Sequence, residues 1–231
     1  MDQIDIAQRP SRSVSRRTIV KGAAWSVPAI ALAAAAPAFA ASQCLPAVID
    51  WNAFADGTTP GTISVPGTTP ALTATISVAY SSGSSPSATS GKVVDGPQGG
   101  VTGRYYRVEF APARQNNAAT VTITFNRPVR DLRFTILDID ATTGYRDQVV
   151  VTTPGFSYQR AAKVIGSGTP ADPFRMSAPL ANIAPTSSDG NVQLAWAGPL
   201  STISFTYSQP NEAASSQNMV VGIGNVSVDP C

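Results

Sequence analysis

The chain has 231 residues, with 16 basic and 14 acidic side chains and no histidine. The missing histidine excludes the commonest general base and the commonest imidazole metal ligand. Near balance of charge, with lysine only at Lys21, Lys92 and Lys163 and the arginines scattered, excludes the clustered basic surface that nucleic acid requires.

In chain order, residues 1–40 read as a targeting segment. Ser15-Arg16-Arg17-Thr18-Ile19-Val20-Lys21 resembles a twin-arginine export motif, with Ile19 and Val20 where Phe and Leu are commoner. That resemblance implies a bacterial chain exported already folded. The run from Gly22 to Pro37 is dominated by alanine and is too weakly apolar for a membrane span. Ala38-Phe39-Ala40 matches an A-x-A cleavage signal, which predicts cleavage before Ala41; an uncut N-terminal anchor is the alternative. The leader takes five basic and two acidic residues with it, leaving eleven basic and twelve acidic ones, a net charge of −1. The product is expected outside the cytoplasmic membrane, secreted or in the cell envelope, with no membrane span after cleavage.

Cys44 and Cys231 stand near the two ends of the mature chain. In an oxidising compartment their even number predicts a disulfide. A bridge closing so long a loop contributes about 4–5 kcal/mol on loop entropy alone. A lipid anchor on Cys44 is the alternative, although Ala40-Ala41-Ser42-Gln43-Cys44 lacks the leucine and the small residue expected before a lipidated cysteine.

The remaining 191 residues predict one all-β domain, 41–231, a jelly-roll or Greek-key β-sandwich of two antiparallel sheets. Short alternating runs rich in Thr, Val, Ile and aromatics are separated by Gly, Pro, Ser and Asn clusters. Strands are expected at 48–51, 62–65, 73–79, 105–110, 120–125, 132–138, 148–152, 156–158, 176–177, 192–196, 203–207 and 220–228. Ser81–Ser90 and 167–191 read as loops, and Gly96-Pro97-Gln98-Gly99-Gly100 reads as a turn.

One internal similarity organises the second half. VTITFNRPVRDLRFTIL (121–137) and VQLAWAGPLSTISFTYS (192–208) align without a gap at an offset of 71. Pro128 matches Pro199, Phe125 matches Trp196, and Phe134 matches Phe205. Each copy reads strand, proline corner, strand. Proline cannot donate to a ladder, so pairing is expected to stop there, at a hairpin or at a corner between two sheets. The predicted core face is Val121, Ile123, Phe125, Leu132, Phe134, Ile136, Val192, Leu194, Trp196, Ile203 and Phe205.

The first copy runs directly into Asp138 and Asp140, with Arg146 and Asp147 close behind. Strand alternation would carry the two aspartates into the core. Unpartnered carboxylates there cost several kcal/mol, so either the strand ends near Leu137 or the carboxylates have partners. Three readings remain open. In the structural one the aspartates cap the loop and Arg146 pairs with them. In the second, Asp138, Asp140 and Asp147 bind calcium, with Thr142 or Thr143 adding an oxygen. In the third, paired carboxylates hydrolyse a glycoside. The rest of the chain supplies no Gly-x-Ser-x-Gly elbow and no second catalytic constellation. Tyr105, Tyr106, Tyr145 and Tyr158 offer a further reading, an exposed platform on which sugars stack.

The pattern F-x-x-P-V-x-x-L-x-F-x-I-x-D-I-D over 125–140, Arg146-Asp147-x-Val149, the second proline corner and the closing Gly222-Ile223-Gly224-Asn225-Val226 resemble a module of secreted and surface proteins of bacteria. The likeness covers roughly Thr120 to Cys231. It implies a jelly-roll sandwich of the adhesin or carbohydrate-binding type, in which Asp138, Asp140, Arg146 and Asp147 belong to the recurrent motif. The expected function is non-enzymatic binding of a glycan or surface protein. The alternatives are a secreted glycan-active hydrolase using Asp138, Asp140 and Asp147, and a purely structural envelope protein.

Overall fold

A computed structural model describes residues 45–210 and 217–230. The export motif with Arg16 and Arg17, the cleavage site and the expected Cys44–Cys231 bridge lie outside the described residues. The chain from Cys44 to Cys231 forms one compact unit. Its described part is an antiparallel all-β sandwich of fourteen strands and one 3-10 turn, Trp51–Ala53. No helix of the described residues is long and apolar enough to cross a membrane.

The strands are β1 (Ala47–Ile49), β2 (Ile63–Val65), β3 (Leu72–Tyr80), β4 (Lys92–Val94), β5 (Tyr105–Phe110), β6 (Ala118–Leu137), β7 (Gln148–Val151), β8 (Phe156–Arg160), β9 (Val164–Ile165), β10 (Phe174–Met176), β11 (Val192–Trp196), β12 (Leu200–Ser208), β13 (Met219–Ile223) and β14 (Val226–Asp229). One sheet runs β2-β3-β6-β12-β7-β10-β9. The other runs β8-β11-β6, then β13 and β14 end to end, flanked by β5 with β4 and by β1. Strands distant in sequence are neighbours: β12 separates β6 from β7, and β13 separates β5 from β6. That interleaving defines a Greek-key sandwich.

β6 belongs to both sheets, and here the sequence expectation needs correcting. Pairing does not stop at Pro128. A single strand of 20 residues bends through the proline and changes partners. Up to Val129 it pairs with β3 and β12; from Arg130 it pairs with β14, β11 and β13. The missing N–H of Pro128 sits at the exposed corner, where no ladder bond is asked of it. Of the two connections the sequence allowed, the corner between sheets is the one formed.

The second copy makes the same corner at Ala197-Gly198-Pro199. Gly198 has φ +74°, and a Cβ there would lie 2.5 Å from the Val129 carbonyl oxygen, so glycine is required. The two copies are antiparallel partners along their length. Val192 faces Ile136 and Trp196 faces Leu132 in one sheet; Ile203 faces Ile123 and Phe205 faces Val121 in the other. All eleven predicted core residues are at most 3% exposed. Phe134 joins the copies, with its ring 5.8 Å from Trp196 and 6.0 Å from Phe205. Burying each such side chain contributes about 1.5–3 kcal/mol.

The expected strand 220–228 is broken in two. Gly224 N–H donates to Thr135 O, the Trp51 indole donates to Gly224 O, and Asn225 Oδ1 accepts from Trp51 N–H. This knot lets the chain leave β5 and take up β1. Two short strands, β4 and β9, carry too few residues for an alternating pattern to declare them. The serine-rich loop 81–90 is tied to Glu109, which accepts from the Ser87 and Thr89 hydroxyls.

Candidate functional site

β6 ends at Leu137, and the chain then turns through Asp138 at φ +66°. Aspartate tolerates this left-handed geometry better than most side chains, because its short polar group bonds locally. The break cancels strand alternation, so Asp138, Ile139 and Asp140 all end up buried. Asp138 is 5% exposed, Asp140 4% and Asp147 fully buried. Both escapes from the unpartnered-carboxylate problem are therefore used: the strand stops, and partners are supplied.

Asp147, just before β7, is the centre. Its Oδ1 accepts from the Tyr207 hydroxyl at 2.6 Å and its Oδ2 from Asp140 N–H at 3.1 Å. Asp147 N–H returns a bond to Asp140 O at 3.0 Å. Asp140 Oδ2 accepts from Ile183 N–H at 3.0 Å, and Tyr145 lies beside the same carboxyl group. These contacts close the loop 141–146, whose ends pair at Ala141 and Arg146.

Asp138 faces the other way, toward the glycine-rich turn. Gln98 Nε2 donates to its Oδ2 at 2.6 Å, and the Tyr105 hydroxyl donates to Gln98 Oε1 at 3.3 Å. Asn191 Oδ1 accepts from Asp138 N–H at 3.1 Å while Asn191 Nδ2 donates to Gly99 O at 2.8 Å. The turn 96–100 is thus a wall of the cluster. Asp138 Oδ1 is buried without a hydrogen-bond partner.

Burial sets the protonation of the cluster. It raises the Asp138 carboxyl to about 7, with the Asp140 charge adding to the effect. It also raises Asp140, against the N–H of Ile183 and the Tyr145 hydroxyl, which favour the charged form. Asp147 is raised furthest, by burial and then by the charge of Asp140. Asp140 and Asp147 are both held above the ordinary carboxyl range, burial being the larger cause in each. Burial likewise raises Tyr145 and Tyr207, so both remain hydroxyl donors.

Among the described residues no three acidic or cysteine side chains have the spacing to hold a metal ion. The carboxyl oxygens of Asp140 and Asp147 are met by N–H and O–H donors instead. Arg146 is half-buried; its N–H donates to Gln209 Oε1 at 3.4 Å, and the residue lines a cleft beside the cluster.

That cleft has a volume of about 640 Å³. It opens against β7, β9 and β10, and Arg146, Gln148, Arg175, Met176 and Leu180 form much of its wall. Arg175 Nη1 donates to Asp172 Oδ1 and to Pro173 O, both at 3.1 Å. Leu180 is 37% exposed.

The tyrosine platform does not form. Tyr105, Tyr106 and Tyr145 are 2–7% exposed, their rings packed into the core. Tyr158 alone of the four is exposed, at 39%. Reading the sequence missed Gln98, Asn191 and Tyr207 as partners of the aspartates, because they come from three distant segments. The one available signal was Gln98 inside the glycine-rich turn, a long polar side chain where small residues prevail.

The chain matches no known family model, and a comparison with curated proteins returns no match.

Proposed function

We propose that this is an exported, non-enzymatic β-sandwich of the cell envelope or the extracellular space, and that it binds an acidic glycan or surface component in the cleft beside Asp147. The observation that carries this reading is the cleft wall. Arg146, Gln148 and Arg175 line it together with Ile165, Met176 and Leu180. Sugar recognition combines these elements, with apolar surface for a ring face and polar groups to fix its orientation. Guanidinium adds a preference for carboxylate or sulfate through forked hydrogen bonds.

The aspartates support this reading from the opposite side. Glycoside hydrolysis needs two carboxyl groups facing a substrate across an open cleft. Asp138, Asp140 and Asp147 are at most 5% exposed, and they are bonded to the protein's own donors. Their role here is to hold the loop 141–146 so that Arg146 stands on the cleft wall.

Calorimetric titration with oligogalacturonate and, in parallel, a neutral cello-oligosaccharide tests the proposal. Binding of the acidic oligomer in preference to the neutral one, weakened about tenfold or more by Arg175→Ala, is the expected result. Binding of neither, or acidic binding indifferent to Arg175→Ala, contradicts it.

A further inference from the structure

We infer that β8 is an interface through which two copies of this chain join, edge to edge, into one continuous sheet. Among the described residues β8 pairs with β11 on one side only. Ala161 N–H donates to Asn191 O, immediately beyond the end of that ladder. Antiparallel alternation then places Ser157 and Gln159 in the bonded pairs with β11 and turns the N–H and C=O groups of Phe156, Tyr158 and Arg160 outward. Among the described residues none of those outward groups has another backbone partner. Ser157, Tyr158, Gln159 and Arg160 are all exposed.

The other terminal strands differ. β1, β2 and β4 have three residues each and β9 has two, against five in β8. β4 is also covered, because Val93 N–H donates to Thr58 O and Gly57 N–H donates to Val93 O. Open edges in native proteins are blunted by charged side chains, lysine above all, by proline, by bulges or by shortness. Phe156-Ser157-Tyr158-Gln159-Arg160 has only Arg160 among these, at its last position, where Nη1 donates to Gly166 O of the same chain at 2.7 Å.

The occupant is a second copy because the strand complements itself about Tyr158. Antiparallel pairing on a two-fold axis sets Tyr158 opposite Tyr158, Ser157 opposite Gln159 and Phe156 opposite Arg160. Every outward N–H then meets an outward C=O. The two Arg160 side chains fall at opposite ends, so no like charges meet. Rings pack behind the edge: Tyr158 lies 5.0 Å from Phe174, and Phe156 lies 6.0 Å from Trp196. The strand is therefore held in shape before it meets its partner.

Sedimentation equilibrium of the full chain, in a concentration series reaching millimolar, tests this. Tyr158→Pro removes an outward N–H and no bond to β11, so it blocks the edge while leaving the sheet intact. Tyr158→Lys sets like charges face to face on the axis and tests the same contact without a proline. A reversible monomer–dimer equilibrium, weakened about tenfold or more in whichever variant keeps the wild-type circular dichroism and melting curve, is expected. A wild-type monomer at millimolar concentration, or dimerisation that folded variants leave unchanged, overturns the inference.

Discussion

The Tyr207 hydroxyl donates to Oδ1 of Asp147 at 2.6 Å, in a part of the sandwich where both side chains are fully buried. Tyr207 lies near the end of β12, and Asp147 immediately precedes β7. The bond ties the acidic loop to the second proline-cornered copy.

Removing that donor should be costly. In Tyr207→Phe, Asp147 Oδ1 loses its partner inside the core, and the expected loss is about 1–3 kcal/mol. Urea unfolding at neutral pH measures it. A loss within error of zero would mean that the bond is not needed to hold the loop.

Stability should fall as the solution becomes less acidic. The Asp138 carboxyl is raised to about 7 in the fold, against about 3.9 in an unfolded chain. Between those values the folded state holds a proton that the unfolded state has released. The contribution is therefore complete below the unfolded value and is lost as pH rises through the folded one. The slope is at most about 1.4 kcal/mol per pH unit for this one group. Asp140 and Asp147, both raised, act in the same direction. Denaturant unfolding from pH 5 to 8 should show the decline, and Asp138→Asn should make it shallower.

Gly99→Ala should destabilise the cluster without touching a charge. Gly99 has φ +54°, and an added Cβ would lie 2.5 Å from Asn191 Oδ1 and 2.8 Å from Leu137 Cβ. Strain and overpacking together should cost about 1–3 kcal/mol. Thermal unfolding beside Gly57→Ala, where φ is +75° but the space is open, separates the two effects.

Calcium should leave the melting temperature unchanged. A bound ion at a hundredfold excess over its dissociation constant adds about 2.7 kcal/mol. A clear upward shift at millimolar calcium would mean that Asp138, Asp140 and Asp147 rearrange to ligate it.

Much of this fold was legible because alternation is a local signal. Tyr105–Phe110 and Val192–Trp196 appear with the bounds the sequence predicts, and the gapless repeat located the two strand systems that pair across both sheets. Pro128 misled because its effect depends on where its missing N–H points, which only the neighbouring strands decide. The aspartates were legible as an anomaly and no further. Their burial depends on one left-handed residue, Asp138, and on Gln98, Asn191, Ile183 and Tyr207, each some 40 residues or more away in sequence from the aspartate it serves. Local pattern carries no trace of such contacts. The tyrosines failed for the same reason: composition cannot distinguish a ring packed inside from a ring displayed.

The acidic cluster is closed, and burial holds its carboxyls above their ordinary range. Following the aspartate carboxyl carbons by nuclear magnetic resonance across pH, with and without calcium, tests this directly. Asp138 should titrate near 7, Asp140 and Asp147 should titrate above the ordinary carboxyl range, and calcium should move none of them. Three carboxyls titrating near the ordinary value of about 4, or shifting on addition of calcium, would contradict it.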